Sequence, residues 1–507
     1  MAKKTMVIGL DGASWTILNT MIAHGHMPTL QAEIENGRAQ VLTSTEPPIT
    51  PSAWTSFQTG LSPEDHHVLG FKELQMKDGR FQSNILFSTN LSVKRIWDIL
   101  SEHKKRVCIL NLPLTYPPFP INGILVSGFP VPSSKTEFTF PEEFKSELFE
   151  KIPDFEVMQS GIGASEMGMK IEDMVSRWMK TMSQKTRLAR YLLEKEPWDV
   201  FMVHIQETDV VQHYLWHCID PSDPQHTVED FDKVAKFYAN LDKDLSVLIK
   251  KGREKGFSII ILSDHGFQRC IYNIKINNWL FKKGYLVLNK DIKRLLISCI
   301  KKVFDLPLLY KYRSSIKYSR KSENATNQFL NSVINYEKST VFVETNATNI
   351  AFAHFINNSE EVVKKVLGEI ELILDPEGQR IVNEISKVEG RGNAVYKIVF
   401  SNGIKAIGTI PSGKSFIEPP IVLKQQVGMH HKDGIIIMDK SLDDFEMPAN
   451  IFSVPNTIMD LQDIAFDPMP KKECSDLFSA ANFTPQPEKA ESEKSEIEDQ
   501  LKSLGYL

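Results

Sequence analysis

Carboxylate, imidazole and hydroxyl side chains recur in several short segments of this 507-residue chain, where they could bind metal ions. Asp264 and His265 directly follow an apolar run, and Asp11 follows another. Asp209 and His213 are four positions apart, so one helical turn would place both on the same face. Nitrogen and carboxylate ligands without cysteine suit a catalytic pair of zinc or manganese ions. Two such ions could clamp the attacking and leaving oxygens of a phosphoryl displacement.

Thr50 is the candidate nucleophile. It precedes Pro51, a pair typical of a helix N-cap followed by proline at the first helical position. A hydroxyl there lies beside free backbone N–H groups, which form a site for an anion. If a metal ion also lowers the hydroxyl pKa, Thr50 can attack phosphorus, although helix capping alone explains the pattern equally well. Ser52 is a competing hydroxyl that would fall inside the first turn.

Each remaining candidate has a structural alternative. Asp11 could equally be a helix N-cap, and an Asp/His pair at helical spacing is often exposed to solvent. One histidine of the pair His430-His431 could complete a second ligand set, or both could be exposed in a loop. His217, one turn beyond His213, is expected on the surface rather than in the site.

The elements that must position these residues predict an α/β fold. Strand-like apolar runs alternate with helical periodicity, which indicates a mostly parallel sheet with helices on both faces. Ligands of such sheets bind at the carboxyl ends of the strands, where several of the candidate residues occur. The predicted core elements are the strands Thr5–Leu10, Val107–Asn111, Gly123–Ser127, Asp199–Ile205, Ser258–Leu262 and Gly434–Met438, and the helices Ile171–Glu194 and Val228–Lys250.

The sequence divides into a core with an inserted region and a tail. Residues 1–280 and 426–483 are predicted to form the core, and residues 281–425 an inserted cap or substrate region. Within that insertion, residues 282–321 are basic and amphipathic; we favour a segment that buries its apolar face in the protein over one that contacts a membrane or polyanionic substrate. Residues 484–507 should form a flexible tail with a short C-terminal helix.

Composition narrows the class and location of the protein. The net charge of −5 predicts no nucleic-acid binding. The five cysteines are dispersed without a CxxC pattern, which fits a reducing cytoplasm. The N-terminal apolar run is too short for a signal peptide, and no stretch reaches the length of a transmembrane helix. We therefore expect a soluble cytoplasmic protein.

In combination, the motifs resemble the type I phosphodiesterase/nucleotide pyrophosphatase family of the alkaline phosphatase superfamily, and most closely its soluble prokaryotic members. The likeness spans nearly the whole chain. Weaker support comes from Asp375–Gln379 and the closing residues Leu501–Leu507. The motifs that carry it are Ile8-Gly-Leu-Asp-Gly-Ala13, Pro47-Pro-Ile-Thr-Pro-Ser-Ala-Trp-Thr-Ser-Phe-Gln-Thr-Gly60, Glu207-Thr-Asp209 with His213, and Ser263-Asp-His-Gly-Phe267.

The resemblance implies an alkaline-phosphatase-like fold, two divalent metal ions and a phospho-threonine intermediate on Thr50. Zinc is the expected metal, with manganese as the alternative. His430 falls where the family places a ligand, although the adjacent His431 leaves the register open by one residue. The implied ligand sets are Asp11, Thr50, Asp264 and His265 for one ion, and Asp209, His213 and His430 for the other.

The sequence also departs from the family pattern. The segment after the nucleophile helix usually reads His-Gly, whereas here it is His66-His67. Related nucleotide pyrophosphatases carry an asparagine downstream of the nucleophile that holds a phosphate oxygen, but the corresponding region here is Gly70-Phe71. This difference puts nucleotide substrates in doubt without affecting the metal chemistry.

The sequence therefore predicts a metal-dependent hydrolase of phosphoric esters, acting on a small-molecule or lipid-linked phosphodiester or pyrophosphate. A phosphomonoesterase or phosphotransferase using the same site is one alternative. A non-catalytic module that binds a membrane or partner through the basic insertion is another. The oligomeric state is left open.

Overall fold

In the computed structural model, the residues described are 2–77, 80–91, 93–157, 169–289, 333–356, 359–388, 394–408, 411, 415–422, 425–468, 496–498 and 500–501. Most of the basic segment predicted at 282–321 lies outside these residues. So does most of the predicted tail at 484–507.

A central eight-stranded sheet forms the body of the protein. Five adjacent strands run parallel, and the strand on each side of these five pairs antiparallel with its neighbour. A further strand at one edge pairs antiparallel with the strand beside it. The middle strands are almost entirely buried and apolar, as expected for a parallel sheet covered on both faces. In sheet order the strands are β2 (Arg38–Thr43), β19 (Asp433–Met438), β9 (Ser258–Leu262), β1 (Thr5–Leu10), β8 (Val200–Ile205), β5 (Val107–Leu110), β6 (Gly123–Val126) and β7 (Thr139–Phe140).

Helices cover both faces of this sheet. Alternate residues of β1 belong to two different apolar clusters, Met6 and Ile8 to one and Val7 to the other. The first cluster includes α1 (Trp15–Ala23), α2 (Pro28–Asn36), α7 (Ile171–Lys195), α8 (Glu207–Ile219) and α9 (Val228–Glu254). The second includes α3 (Thr50–Thr59), α5 (Ile96–Glu102) and α12 (Val454–Leu461). The remaining core helices are α4 (Pro63–His66) and α6 (Phe144–Lys151).

A second sheet with its own apolar cluster lies within the inserted region. Its four strands are antiparallel, in the order β12 (Val341–Thr345), β13 (Ile350–Phe355), β15 (Val395–Phe400) and β14 (Val382–Val388). Helix α10 (Ile276–Lys283) and helix α11 (Glu360–Glu371) contribute to the same cluster.

Three small sheets complete the described structure. Strand β10 (Gly266–Arg269) pairs antiparallel with β18 (Gly428–His431). Strand β11 (Tyr272–Ile274) lies between β16 (Ile404–Ala406) and β17 (Ile417–Glu418). Strands β3 (Lys72–Lys77) and β4 (Arg80–Ile85) form a hairpin. The first two sheets connect the central sheet to the inserted region.

The predicted α/β fold with a mostly parallel sheet is confirmed. The predicted strands of the core agree with the observed ones to within one residue at each end. The domain boundaries remain a prediction. Near the C-terminus, Ile497 and Leu501 are buried in the larger cluster of the core, and Gln500 donates hydrogen bonds to the Val131 and Pro132 carbonyls.

Candidate metal centre

The candidate nucleophile begins its helix rather than capping it. Ala53 donates its backbone N–H to the Ile49 carbonyl over 2.9 Å, so the helical hydrogen bonds start at Ile49 and make it the N-cap. The prediction that Thr50 is the N-cap was therefore wrong by one residue. Thr50 is fully buried and still lies in the first turn, where backbone N–H groups have no helical acceptor. Ser52 lies in the same turn, as expected, and its hydroxyl makes no hydrogen bond within the described part of the chain.

The first predicted ligand set meets at the carboxyl ends of β1 and β9. The Thr50 hydroxyl donates to Asp11 Oδ1 over 3.4 Å, and its oxygen lies 3.3 Å from His265 Nε2. His265 Nε2 is 3.6 Å from Asp11 Oδ1 and 3.3 Å from Asp264 Oδ2. All four side chains are completely buried. Asp11, Asp264 and His265 form a group whose ligand atoms lie within 4.8 Å of one another.

The second predicted set lies beside the first. Asp209 Oδ1 is 3.4 Å from His213 Nε2 on the same turn of α8, and 3.2 Å from His430 Nε2 on β18. The Nε2 atoms of His213 and His430 are 2.9 Å apart. His265 shares a second group with Asp209 and His430, again within 4.8 Å. The two sets are thus contiguous, with His265 between them.

Backbone carbonyls orient the three imidazoles. His213 Nδ1 lies 3.2 Å from the Gly428 carbonyl, His430 Nδ1 3.0 Å from that of Pro48, and His265 Nδ1 3.1 Å from that of Gly266. Because a carbonyl can only accept, each Nδ1 carries the proton and each Nε2 presents a lone pair to the cluster. This arrangement is typical of histidines that bind metals through Nε2.

Burial sets the protonation states of the cluster. It lowers the pKa of His265 and of His430 to about 4, and that of His213 well below its usual value, so the imidazoles are neutral at neutral pH. Burial, reinforced by the charge of Asp11, raises the pKa of Asp209 and of Asp264. Burial alone would also raise the pKa of Asp11, but the hydrogen bond and charge of His204 lower it.

The donor set fits a pair of divalent cations. Asp209 Oδ1 and Asp264 Oδ2 are buried and accept no hydrogen bond from the described residues, which is costly for carboxylate oxygens. The Nε2 lone pairs of His213 and His430 face each other at a distance that only a positive charge between or beside them would favour. Two cations would satisfy both the oxygens and the nitrogens, since neutral imidazole and carboxylate are ligands of zinc and manganese.

Two side chains that hold Asp11 were missed by the sequence analysis. His204, in β8, lies with Nε2 2.8 Å from Asp11 Oδ2, and Trp54 donates its indole N–H to the same oxygen over 3.3 Å. His204 could have been noticed because it is an imidazole inside an otherwise apolar, fully buried strand. Both residues leave Asp11 Oδ1 directed toward Thr50 and His265.

The turn after β1 is fixed by hydrogen bonds from α8. The Thr208 hydroxyl donates to the Asp11 carbonyl over 2.6 Å, and Gln212 Nε2 donates to the Gly12 carbonyl over 2.7 Å. Gly12 adopts a φ of +63° and donates its N–H to Asp264 Oδ1. A side chain at Gly12 would also meet the Phe267 ring at 2.5 Å, so glycine is required for both reasons.

Three of the histidines that the sequence analysis singled out lie outside the cluster. His431, the alternative to His430, is partly exposed and lies 3.6 Å from an Asp433 oxygen. His217 is buried beside the Cys218 thiol, so its predicted surface position was wrong: α8 is buried along its whole length. His66 accepts the Val68 N–H on Nδ1 and donates from Nε2 to the Ser56 hydroxyl, which ties α4 to α3.

The region that lacks the expected asparagine is apolar and buried. Val68 and Phe71 are almost inaccessible to solvent, and Phe71 packs edge-on against Phe129 with ring centroids 5.0 Å apart.

Within the described residues, no helix combines the length and apolar character needed to cross a bilayer.

Comparison with known proteins adds a family and a fold. The family model for type I phosphodiesterase/nucleotide pyrophosphatase matches residues 5–393. Phosphonoacetate hydrolase from Sinorhizobium meliloti 1021, in complex with phosphonoformate, has a similar structure, with a TM-score of 0.58 and 14% identity over 91% of this chain and 96% of that one. Human ectonucleotide pyrophosphatase/phosphodiesterase 5 gives a TM-score of 0.52 and 14% identity over 92% and 96%. The search of curated protein sequences finds no match.

Proposed function

The chain belongs to the type I phosphodiesterase/nucleotide pyrophosphatase family and is a metal-dependent phosphoester hydrolase; from this premise we propose that Thr50 attacks phosphorus and forms a phospho-threonine intermediate. One observation carries the proposal: the Thr50 oxygen lies 3.4 Å from Asp11 Oδ1 and 3.3 Å from His265 Nε2 at the start of a buried helix. A hydroxyl so placed is held beside two proposed metal-ligand atoms and at the N-terminal end of a helix, whose dipole favours an anion.

The protein would hold two divalent ions, zinc being preferred and manganese the alternative. Asp11, Thr50, Asp264 and His265 would bind one ion. Asp209, His213 and His430 would bind the other. When bound, the ions supply Lewis acidity that lowers the pKa of a hydroxyl or water and offsets negative charge at phosphorus.

The reaction then needs two displacements. The Thr50 oxygen forms a bond to phosphorus while the bond to the leaving oxygen breaks, and the proton that Thr50 gives up passes through water to the leaving group, which departs with the electron pair. Water next attacks phosphorus and gives up a proton, the bond to the Thr50 oxygen breaks, and Thr50 takes up the proton that the water released. Asp11 Oδ1 orients the nucleophile before the attack by accepting the hydrogen bond of the Thr50 hydroxyl. The N–H groups of the first turn of α3 stabilise the transferred phosphoryl oxygens.

We further propose a substrate without a nucleotide, either a small-molecule or a lipid-linked phosphodiester or pyrophosphate. The buried pair Val68 and Phe71 supports this, because neither side chain can donate to a phosphate oxygen as an asparagine would. Turnover of bis-p-nitrophenyl phosphate, mono-p-nitrophenyl phosphate and a p-nitrophenyl nucleotide ester, measured side by side, separates a diesterase, a monoesterase and a nucleotide-specific enzyme. Preference for the nucleotide ester would contradict the proposal.

Replacing the nucleophile tests the mechanism. Thr50→Ala should lower turnover of bis-p-nitrophenyl phosphate by a factor on the order of 10³ or more, because no other residue takes over the attack. Ser52→Ala is the matched control: the Ser52 hydroxyl lies in the same turn and makes no hydrogen bond to any described residue, so its loss should leave turnover intact. Retained activity in Thr50→Ala, or its loss in Ser52→Ala alone, would move the nucleophile elsewhere.

The location and partners are proposals as well. A cytoplasmic location is supported by the free, buried thiols of Cys108, Cys218 and Cys270. Contact of residues 282–321 with a membrane stays the less favoured alternative to burial of their apolar face within the protein, and liposome flotation with and without that segment is the measurement that would detect it.

A further inference from the structure

Lys405 is a buried cation of the inserted region, and the groups that accept its hydrogen bonds are neutral. It lies in β16 and is 3% exposed. Its ammonium donates to the Gln426 backbone carbonyl over 3.0 Å and lies 3.4 Å from the Gln426 side-chain oxygen. Within the described part of the chain no carboxylate pairs with it, and burial lowers its pKa. An ammonium in this environment is less favourable for folding than an apolar side chain of similar size, so stability alone does not account for it.

Gln426 begins the segment that positions two of the proposed metal ligands. The next residue, Val427, donates its N–H to the His213 carbonyl over 2.8 Å. The Gly428 carbonyl accepts from His213 Nδ1 over 3.2 Å, and His430 follows two residues later in β18. This segment therefore orients one imidazole and carries the other.

The other end of the connection reaches the second sheet. Strand β16 pairs in parallel with β11, with Lys405 opposite Asn273. The next residue, Ala406, donates its N–H to the Thr348 carbonyl over 2.7 Å, directly before β13. Lys405 thus joins the backbone of the inserted region to the backbone that leads into the metal centre.

We propose that Lys405 is a positioning residue for the second metal ion. By donating to the Gln426 carbonyl, it fixes the positions of His213 and His430. The affinity for that ion therefore depends on the position of the inserted region relative to this segment. The inference rests on the proposed metal pair but assigns a role beyond it. Residues outside the ligand set that hold ligands in place typically change metal affinity 10- to 100-fold when they are removed.

Zinc titration of the full-length, metal-free protein against a chromophoric chelator tests the role of Lys405. Asp264→Asn and Asp209→Asn identify the binding steps of the first and the second ion. Lys405→Met should raise the Kd of the second step about tenfold or more and leave the first step unchanged. Lys405→Arg, which keeps the charge and the donors, should recover most of the affinity. Lys364→Met, which replaces an exposed lysine of α11 in the same region, is the control and should change neither step.

The outcomes are distinguishable. Unchanged second-step affinity in Lys405→Met, or an equal loss in both steps, would overturn the role of Lys405. Failure of the wild-type protein to bind two ions would instead overturn the proposed metal pair. If circular dichroism shows that Lys405→Met does not fold, Lys405→Gln provides the comparison, because its polar side chain is one atom shorter than lysine and would no longer hold the Gln426 carbonyl closely. An unchanged second step in that variant would equally contradict the proposal.

Discussion

At the scale of single residues, His204 decides the charge and orientation of Asp11. Its Nε2 lies 2.8 Å from Asp11 Oδ2, both side chains are buried, and its hydrogen bond lowers the Asp11 pKa against the effect of burial. Because a ligand must be deprotonated, a group that lowers its pKa also favours metal binding.

Replacing His204 should therefore weaken the binding of the first metal ion. We expect His204→Phe to raise the Kd of the first zinc-binding step about 10- to 100-fold, because Asp11 loses its buried partner and gains a proton. Zinc titration against a chelator measures this. The second step is the internal control, since the hydrogen-bond partner of His204 is Asp11, which belongs to the first ligand set. Equal weakening of both steps would show that His204 supports the fold rather than Asp11.

The predictability of individual residues from the sequence follows from their spacing. Asp209 and His213 were identifiable because a helical turn brings them together, and Asp264 and His265 because they end an apolar strand. His204 and Lys405 carry no local pattern: each contacts a residue that is distant in the sequence, His204 by 193 positions and Lys405 by 21. Their partners depend on the tertiary packing of several elements, which spacing alone does not define.

At the scale of elements, close approach of β18 to α8 places His430 beside His213. A Cβ atom at Gly428 would lie 2.2 Å from the Gln212 carbonyl oxygen, so β18 can approach α8 this closely only because residue 428 is glycine. Gly428→Ala should lower the free energy of unfolding by about 1–3 kcal/mol and weaken the second zinc-binding step. Urea denaturation and zinc titration measure the two effects.

Gly368 provides the matched control for that substitution. It lies in α11, and a Cβ atom there would meet nothing within 4 Å. Gly368→Ala should raise the free energy of unfolding by about 0.5–1 kcal/mol, since alanine favours a helix, and should leave zinc binding unchanged. A Gly428→Ala protein as stable and as tightly metal-bound as the wild type would contradict the close approach.

His66 makes the junction of α3 and α4 sensitive to acid. It is buried between the Val68 N–H and the Ser56 hydroxyl, and burial lowers its pKa from 6.5 to about 3. Since the unfolded state takes up a proton below pH 6.5 and the folded state does not until about pH 3, stability is lost as the pH falls through that window. The loss amounts to about 2 kcal/mol at pH 5, at 1.4 kcal/mol per unit.

Replacing His66 should remove this loss. His66→Gln keeps one acceptor and one donor and does not titrate, so its free energy of unfolding should fall less between pH 7 and pH 5 than that of the wild type. Urea denaturation at both pH values, with a chelator present to remove the contribution of metals, gives the comparison. Parallel pH dependence in the two proteins would show that the folded state protonates His66 readily.

Elements differ in how far the sequence predicts them. The buried parallel strands β1 and β9 were predicted to the residue, because a strand covered on both faces is a bounded apolar run. The edge strand β2 was missed, because its residues alternate between exposed and partly or fully buried positions and include arginine and glutamine. Strands β10 and β18 are short and pair across a long separation, so only the assembled core brings them together.

At the scale of the whole molecule, the metal centre joins parts of the chain that are distant in sequence. The His430 imidazole contacts the Pro48 carbonyl, 382 positions away, and Gly12 contacts Asp264, 252 positions away. Without cations, three buried carboxylates and three neutral imidazoles face one another at this junction. Metal binding should therefore stabilise the fold as a whole and not one loop of it.

Removing metal should lower the melting temperature of the full-length protein. Saturating zinc at 1,000 times its Kd adds about 4 kcal/mol to the free energy of unfolding for each site that exists only in the folded state.

The raised pKa of Asp209 and of Asp264 adds a pH dependence to this effect. In the metal-free protein the protonated forms of both carboxyl groups are favoured, so stability is lost as the pH rises above the unfolded pKa of 3.8. Because zinc binds the ionised carboxylates, its stabilising effect should increase with pH. Differential scanning calorimetry with chelator or zinc, at pH 6 and pH 8, measures this increase. Ser52→Ala should reproduce the wild-type shift and Asp209→Asn should reduce it; a melting temperature that is indifferent to zinc at both pH values would show that the cluster does not bind it.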